Sequence, residues 1–324
     1  MDRPAAKALV LPFERQNLAL PTSEHRWLFL NAHPLENPAQ WVNGIVCEQG
    51  FRPLFNVLKT AGYDVYPEVD ARPPFAGALV LTSRFKEINK QMVARAVQAV
   101  VPDAPILIAG EKTSGIASLG KWVGLQTPSL DRTSKFHAQV LRFSAHDAPG
   151  FQEVLNAVDS NTGVFGSGKI DAGSALLAST FDEKIKGDVA DFCAGTGYLT
   201  TQLLEKSLPE KIDLYEAEFR ALELARQVLS ATGTPMDFHW LDLGREPVVG
   251  RYDWIVMNPP FHAGREAAPS IGQSMIRAAR KALRPGGRLR LVANRQLPYE
   301  NTLKEVFGGF REIVAADGFK VLQA

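Results

Sequence analysis

Polar residues end four successive apolar segments between residues 187 and 258, and this order constrains the fold more than any other feature. Each segment is typical of a buried strand. The predicted strand ends are Asp191, Glu216, Asp242 and Asn258. In open α/β sheets, ligands bind outside the carboxyl ends of the strands, so we expect these side chains to border one crevice. Each acid taken alone would be explained equally well by a helix cap or a solvated loop.

A glycine turn follows the first of these strands. The run from Asp191 to Gly197, Asp-Phe-Cys-Ala-Gly-Thr-Gly, leads into a helix-like stretch from Tyr198 to Lys206. Glycines at positions 195 and 197 allow the backbone to approach a ligand closely where the strand gives way to a helix. Thr200 stands where a nicotinamide dinucleotide fingerprint has its third glycine, which argues against that cofactor.

The predicted cofactor-binding residues follow from this arrangement. Glu216 comes about twenty residues after the glycine turn, which suits hydrogen bonds to ribose hydroxyls. Asp242 ends the third strand, where its carboxylate can accept a hydrogen bond from an adenine amine. The predicted set is Asp191, Ala194, Gly195, Gly197, Glu216, Asp242 and Asn258.

The predicted catalytic residues are Asn258, Pro259, Pro260 and Phe261, directly after an apolar run. Proline has a fixed φ and no N–H, so the carbonyls before and between the two prolines meet no competing donor. One amide, these carbonyls and one ring would form a pocket suited to methylation of a planar amine. Asn258 and the Pro259 carbonyl would accept the amine hydrogens, and Phe261 would stack on the base. The alternative is an ordinary Pro-Pro turn with a packed phenylalanine.

The remaining segments complete an α/β pattern. A helix is predicted from Ser270 to Leu283 and a strand from Arg288 to Ala293, with Pro285 and the glycines after it ending the helix. Asp317-Gly318 predicts a closing hairpin. The first half has its own strands and a helix, and residues 124–160 are interpreted as a connection. With 324 residues, the chain is expected to form two domains, 1–150 and 151–324.

Several motifs carry a family resemblance. The glycine turn and its preceding acid look like motif I of class I S-adenosylmethionine methyltransferases. The second half resembles the bacterial rRNA guanine-N2 methyltransferases, and among them those that act on the small subunit. The matching runs are 163–165, 171–174, 258–262, 283–287, 291–294, 297–299 and 319–321.

This resemblance implies a fold and a function. It implies a Rossmann-like α/β catalytic domain of the class I S-adenosylmethionine-dependent type, preceded by a degenerate methyltransferase-like α/β domain that no longer binds cofactor. The implied reaction is methylation of the exocyclic N2 amine of a guanine in 16S rRNA. S-adenosyl-L-methionine is the implied cofactor, and ribosomal RNA or the small ribosomal subunit is the implied partner.

Alternatives from other classes remain open. The pocket chemistry also permits methylation of large-subunit guanine, of adenine N6 or of a glutamine side chain. A non-catalytic RNA-binding ribosome-assembly factor is an alternative without chemistry, although intact Asp191, Gly195, Gly197 and Asn258 argue against it.

The composition indicates the cellular compartment expected for the protein. An apolar content of 45% without a long apolar run, and the absence of a secretory apolar core, predict a cytoplasmic protein without membrane contact. Cys47 and Cys193 form no disulfide framework, as expected in a reducing compartment. The six histidines show no ligand spacing with cysteines or carboxylates, so no metal site is predicted. A monomer is expected.

The charge distribution bears on RNA binding. A net charge of +1 by itself argues against a polyanionic partner. Between Glu266 and Glu300, however, every charged residue is basic, which favours a phosphate-binding surface if the side chains cluster in space. Capping of helix carboxyl ends is the alternative role. These residues are Arg277, Arg280, Lys281, Arg284, Arg288, Arg290 and Arg295.

Overall fold

The computed structural model describes residues 3–70, 74–147, 151, 170–260, 262–263, 266–267 and 269–324. The chain divides into two compact units, Met1–Gly163 and Val164–Ala324. The predicted domain boundary between residues 150 and 151 lies at the edge of residues outside this description, so its position stays a prediction. The matching run 163–165 also lies outside it.

The first unit is a seven-stranded sheet with helices on its faces. Apolar residues of both faces are buried, because the central strands are apolar throughout; Trp27–Leu30 is one such strand. The strands are β1 (Trp27–Leu30), β2 (Ile45–Glu48), β3 (Asp64–Tyr66), β4 (Gly77–Leu81), β5 (Pro105–Glu111), β6 (Asp131–Lys135) and β7 (Ala138–Ser144). The α-helices are α1 (Pro4–Glu14), α2 (Arg52–Thr60), α3 (Lys86–Ala99) and α4 (Ile116–Gln126).

The second unit contains another seven-stranded sheet and a separate two-stranded ribbon. The sheet is formed by β8 (Lys186–Phe192), β9 (Leu208–Glu216), β10 (Met236–Trp240), β11 (Tyr252–Met257), β14 (Leu283–Asn294), β15 (Arg311–Ala316) and β16 (Phe319–Gln323). The ribbon pairs β12 (His262–Ala263) with β13 (Glu266–Ala267). The α-helices are α5 (Ala172–Ala178), α6 (Tyr198–Lys206), α7 (Phe219–Leu229), α8 (Pro269–Ala282) and α9 (Tyr299–Phe307).

Both large sheets have the same topology. The orders are β3-β2-β1-β4-β5-β7-β6 and β10-β9-β8-β11-β14-β16-β15, so each sheet places its strands in the order 3-2-1-4-5-7-6. In each sheet the first five strands are parallel and the last two pair antiparallel. The fold predicted from the sequence, a doubled Rossmann-like α/β arrangement, is confirmed.

The order of strands reverses between the first and fourth strand of each unit, and this switch point is where open α/β sheets bind ligands. In the second unit it lies between β8 and β11, whose ends are in register through Phe192 and Met257. The glycine turn and Asn258 follow these two strands directly. The switch point therefore brings together the two motifs on which the sequence analysis depends.

The predicted hairpin closes the second sheet. Asp317 and Gly318 both have positive φ, 50° and 80°, as a type I′ turn requires. The strand after this turn, β16, pairs with β14 on one side and β15 on the other. The last strand of the unit is therefore internal, and β15 is the edge.

Two predictions about elements are wrong in part. The segment 124–160, interpreted as a connection, contains β6 and β7. All five residues of β6 are exposed, so this edge strand lacks the apolar alternation by which strands are recognised. The strand predicted from Arg288 begins at Leu283 as β14, so it includes residues 284–287, which were predicted as a turn. Its pairing with β11 shifts register there: Tyr252 faces Leu283, and Trp254 faces Arg288.

Candidate active site

Asp191 is a fully buried carboxyl at the end of β8, a central strand between β9 and β11. The Thr200 hydroxyl of α6 donates to its Oδ2 at 2.8 Å. Its Oδ1 is buried and has no hydrogen-bond partner among the described residues. Burial, and then the nearby Glu216 carboxylate, raise the pKa of Asp191 to about 7. At a switch point, this buried oxygen is available to a donor or a cation of a ligand.

The turn after Asp191 depends on backbone conformations that favour glycine. Gly195 and Gly197 have φ of 55° and 86°. A Cβ on Gly197 would lie 3.0 Å from Leu229 Cδ1 and 3.3 Å from Ala225 Cβ, both on α7. A side chain at position 197 would therefore be strained and crowded. The turn presents its backbone directly at the beginning of α6.

Cys193 lies in the same turn with a φ of 62°. Its Sγ contacts Met275 Sδ at 3.6 Å, within the core of the second unit. Burial, followed by the charges of Glu216 and Asp191, raises the pKa of the Cys193 thiol well above its ordinary value. The thiol is therefore protonated near neutral pH and packs as a small side chain, in keeping with the sequence interpretation.

Glu216 ends β9 and closes the glycine turn. Its Oε2 accepts from the Gly195 N–H at 2.8 Å, and its Oε1 accepts from Ala217 and Glu218 N–H at 2.8 and 2.9 Å. Burial raises its pKa, against the lowering effect of these three donors. A carboxylate offers about four lone-pair sites, so a bidentate contact with a ribose diol requires the diol to share or replace one backbone donor.

Asp242 follows β10 by two residues and is 8% exposed. Its Oδ1 accepts from the Gly244 N–H at 2.9 Å, while its own N–H donates to Glu246 Oε2 at 2.8 Å. These contacts order the loop after β10. The predicted contact with adenine would use the other carboxylate oxygen and stays a prediction.

Asn258 is held at the end of β11 by two hydrogen bonds. Its Nδ2 donates to Asp171 Oδ2 at 3.0 Å and to Ser174 Oγ at 2.7 Å. Its Oδ1 is buried and without a hydrogen-bond partner in the described part of the chain. Pro259 is buried and Pro260 exposed, whereas Phe261 lies outside the described residues. The amide therefore keeps a free acceptor at the switch point.

Asp171 and Ser174 are site residues that the sequence analysis did not select. Asp171 is the N-cap of α5, where its Oδ2 also accepts from the Ser174 N–H at 2.7 Å. The available signal was local: an aspartate directly before a helical segment is typical of a helix N-cap. Their contact with Asn258 spans more than 80 residues of sequence and has no local signal.

Comparison with known proteins identifies the family. The family described as methyltransferase small domain matches residues 156–323. The ribosomal RNA small subunit methyltransferase C of Sodalis glossinidius is 35% identical over 228 residues, which cover 68% of this chain and 65% of that relative. The protein of the same name from Mannheimia succiniciproducens is 31% identical over 272 residues, covering 78% of this chain and 80% of the relative. The chain belongs to the small subunit methyltransferase C family.

The fold is shared with a solved structure across both units. A Thermus thermophilus protein, described as a 16S rRNA N2 G1207 methyltransferase in complex with AdoMet and guanosine, superposes with a TM-score of 0.82 at 21% identity. The superposition covers 99% of this chain and 91% of that one. At this identity the likeness concerns the fold. The match to the Sodalis relative spans less than two thirds of its length.

The first unit has the equivalent switch point between β1 and β4, but different residues lie there. Arg3 lies there: its guanidinium donates to the Thr82 carbonyl at 2.7 Å and contacts His33 Nε2 at 2.8 Å. Burial, and then the Arg3 charge, lower the pKa of His33 to about 3, so the neutral ring accepts from Arg3. A partly buried cation thus lies at the switch point of the first unit, whereas a fully buried acid, Asp191, lies at that of the second.

A possible metal-ligand group lies on β9 and β10, where Asp213, Asp237 and His239 offer ligand atoms within 4.8 Å of one another. The Lys211 ammonium lies 3.0 Å from Asp213 and 2.6 Å from Asp237. This lysine supplies positive charge to both carboxylates. The prediction of a protein without metal stays a prediction.

None of the helices within the described ranges is long and apolar enough to cross a membrane.

Proposed function

We propose that the protein transfers a methyl group from S-adenosyl-L-methionine to the exocyclic N2 amine of a guanine in 16S rRNA. The observation that carries this proposal is the Asn258 amide: both hydrogens of its nitrogen are engaged, and its buried oxygen has no described partner. An acceptor that is oriented before the substrate arrives is what an amine nucleophile needs.

The cofactor fits the residues at the end of β8. S-adenosylmethionine carries the methyl group on a cationic sulfonium centre. Asp191 keeps one buried oxygen without a described partner, and Gly195 and Gly197 leave backbone without side chains beside it. Glu216 and Asp242 are the proposed partners of the ribose and the adenine, and Ala194 belongs to the same turn. A cation close to a buried carboxyl favours its ionised form, so Asp191 suits a cationic cofactor.

The chemistry at Asn258 concerns a weak nucleophile. The lone pair of a guanine 2-amino group is delocalised into the ring. Asn258 Oδ1 and the Pro259 carbonyl accept the two hydrogens of this amine. These hydrogen bonds localise the lone pair on the nitrogen and direct it at the methyl carbon. A C–N bond forms as the C–S bond breaks, and the proton leaves to solvent afterwards. Positioning and electrostatics supply the acceleration.

The substrate class follows from the family. The relatives carry the name of a small-subunit rRNA methyltransferase, and the Thermus thermophilus structure is described with guanosine. The target base has to be unstacked to reach the pocket. Ribosomal RNA or the small ribosomal subunit is therefore the proposed partner, and the cytoplasm the proposed compartment. Within the basic run of 277–295, Arg290 is buried and donates to Gln323, and Arg284 pairs with Asp188 and Asp253. The exposed basic side chains of this run are proposed to contact phosphates, and the protein is proposed to act as a monomer.

Transfer of labelled methyl to small- and large-subunit RNA and to both subunits, followed by nucleoside analysis, tests the proposal. N2-methylguanosine in small-subunit material is expected. Label confined to large-subunit material, adenine or protein would refute the substrate. Absence of both transfer and cofactor binding would leave the RNA-binding assembly factor as the better account.

Asn258→Ala tests the chemistry. We expect kcat to fall about 10²- to 10³-fold, as for loss of one preorganised hydrogen-bonding group, with cofactor affinity retained. Asn301→Ala, an exposed position on α9, is the matched control and should keep wild-type turnover. Near-wild-type turnover in Asn258→Ala would contradict the mechanism.

A further inference from the structure

Asn258 has an amide whose two faces are chemically opposite. The oxygen accepts hydrogen bonds, and the nitrogen donates two. A rotation of 180° about the last side-chain bond exchanges them with little change in shape. Turned the wrong way, Asn258 would present N–H donors to the donor hydrogens of the substrate amine. The proposed reaction therefore requires something that distinguishes the two orientations.

Two side chains at the beginning of α5 make this distinction, one from its N-cap and one from its first turn. Asp171 Oδ2 and Ser174 Oγ lie 3.0 and 2.7 Å from Asn258 Nδ2, so each can accept one of its hydrogens. An ionised carboxylate only accepts. In the rotated amide, Asn258 Oδ1 would face the Asp171 carboxylate, acceptor against acceptor, and both of its N–H donors would lose their partners. The carboxylate thus selects one orientation, and the serine hydroxyl supports it.

The pair is itself held in place by the fold. Asp171 Oδ2 also accepts from the Ser174 N–H at 2.7 Å, so the same oxygen caps α5 and holds Asn258. Ser174 is 9% exposed. Gly173 between them is closely packed: a Cβ there would crowd Asp171 Oδ2 and the Phe319 ring, each at 3.1 Å. A capped and packed helix start provides a rigid support.

We infer that Asp171 and Ser174 are positioning residues that hold the Asn258 amide with its oxygen toward the amine to be methylated. This inference rests on the proposed function, since it assigns a role within that reaction. Neither residue touches the substrate in this account; both act through Asn258.

Asp171→Ser separates positioning from helix capping. Serine is as good an N-cap as aspartate, so α5 keeps its cap, but the shorter side chain no longer reaches Asn258. We expect the thermal midpoint and the cofactor affinity to stay near wild type while kcat falls about 10- to 100-fold, the equivalent of one hydrogen bond to a charged group. Asp171→Ala should show the same fall in kcat and, because it removes the cap on α5, a lower thermal midpoint as well.

An exchange of the two side chains gives the sharper readout. Asn258→Asp alone places two carboxylates against each other and should be almost inactive. Combined with Asp171→Asn, the new amide at position 171 donates to the new carboxylate at 258, whose other oxygen still faces the amine. The amide nitrogen then takes the place of Asp171 Oδ2 and cannot accept from the Ser174 N–H, so the double variant should lose the cap on α5 and have a lower thermal midpoint than the wild type. We expect the double variant to recover at least tenfold in kcat over Asn258→Asp.

The outcomes separate the two proposals. Wild-type kcat in Asp171→Ser would overturn the positioning role and leave the proposed function standing. The same holds if the exchanged pair folds and binds the cofactor normally but shows no recovery while Asn258→Ala is inactive. Full turnover in Asn258→Ala would overturn the proposed mechanism instead. If Asp171→Ser lowers the cofactor affinity by the same factor as kcat, the positioning role is also overturned. Asp171 would then support the cofactor-binding residues in general.

Discussion

Cofactor affinity should depend on pH through Asp191, and the structure gives the sign. Burial first, and then Glu216, raise the pKa of this carboxyl from 3.8 to about 7 in the free protein. That difference corresponds to about 4 kcal/mol against the ionised form. A cationic cofactor pairs with the ionised form, so binding below about pH 7 must release a proton.

The expected size follows from this linkage. The dissociation constant for S-adenosylmethionine should rise about tenfold for each pH unit below 7 and level off above it. Between pH 5.5 and 7.5 the dissociation constant should change about 25-fold. The upper limit stays below the ordinary pKa of an α-amino group, about 7.7 to 8.0, and so limits titration of the cofactor's own amino group. Titration calorimetry in buffers of different ionisation enthalpy measures both the affinity and the released proton.

Stability of the free protein should change in the opposite direction. The unfolded chain releases this proton near pH 3.8, whereas the folded protein holds it to about pH 7. The folded state therefore binds more protons between these values, and this carboxyl lowers stability as pH rises through the window. Asp191→Asn removes the titrating group, so its weaker binding should no longer depend on pH.

A second acid provides the control. Burial, followed by the charge of Glu216, raises the pKa of Glu218 to about 7 as well. Glu218→Gln should leave most of the pH dependence in place if Asp191 is the group that faces the cofactor. A constant dissociation constant from pH 5.5 to 7.5 in the wild type, or the same slope in Asp191→Asn, would refute the reasoning.

Two stability predictions follow from close contacts. Gly197→Ala should lower the thermal midpoint, because a side chain at a φ of 86° costs about 1–2 kcal/mol and its Cβ would crowd Leu229. Gly233 has open space around it, so Gly233→Ala should leave the thermal midpoint almost unchanged. Equal midpoints in the two variants would contradict this prediction. Arg95→Met should lower the free energy of unfolding in urea by about 3 kcal/mol, because it removes the two hydrogen bonds of 2.7 and 2.6 Å that Arg95 donates to the largely buried Glu48. Lys90→Met breaks an exposed ion pair and should lower it by under about 1 kcal/mol; similar losses in both variants would refute this prediction.

The strand ends of the second unit were predictable because their signals are local. An apolar run followed by a polar residue, and then by glycines, marks both the end of β8 and the beginning of α6 within one window of sequence. The same holds for Asp317-Gly318, whose positive φ values belong to the dipeptide itself.

What the sequence did not reveal depends on contacts between distant segments. β6 is wholly exposed, and its pairing with β7 determines that it is a strand. Asp171 and Ser174 meet Asn258 only after the sheet has formed. Glu216 was predicted as a ribose ligand, but its engagement with three backbone N–H groups follows from the shape of the glycine turn. Phe261 stays a prediction, outside the described residues.

The internal position of the last strand has a consequence during synthesis. In each sheet the seventh strand lies between the fifth and the sixth, so the sixth has no neighbour in the sheet until the seventh is available. Neither sheet can be completed before its final residues leave the ribosome. The first sheet ends at Ser144 and the second begins at Lys186, so the first can close while the second is still being made. Each unit then folds without competition from the matching strands of the other.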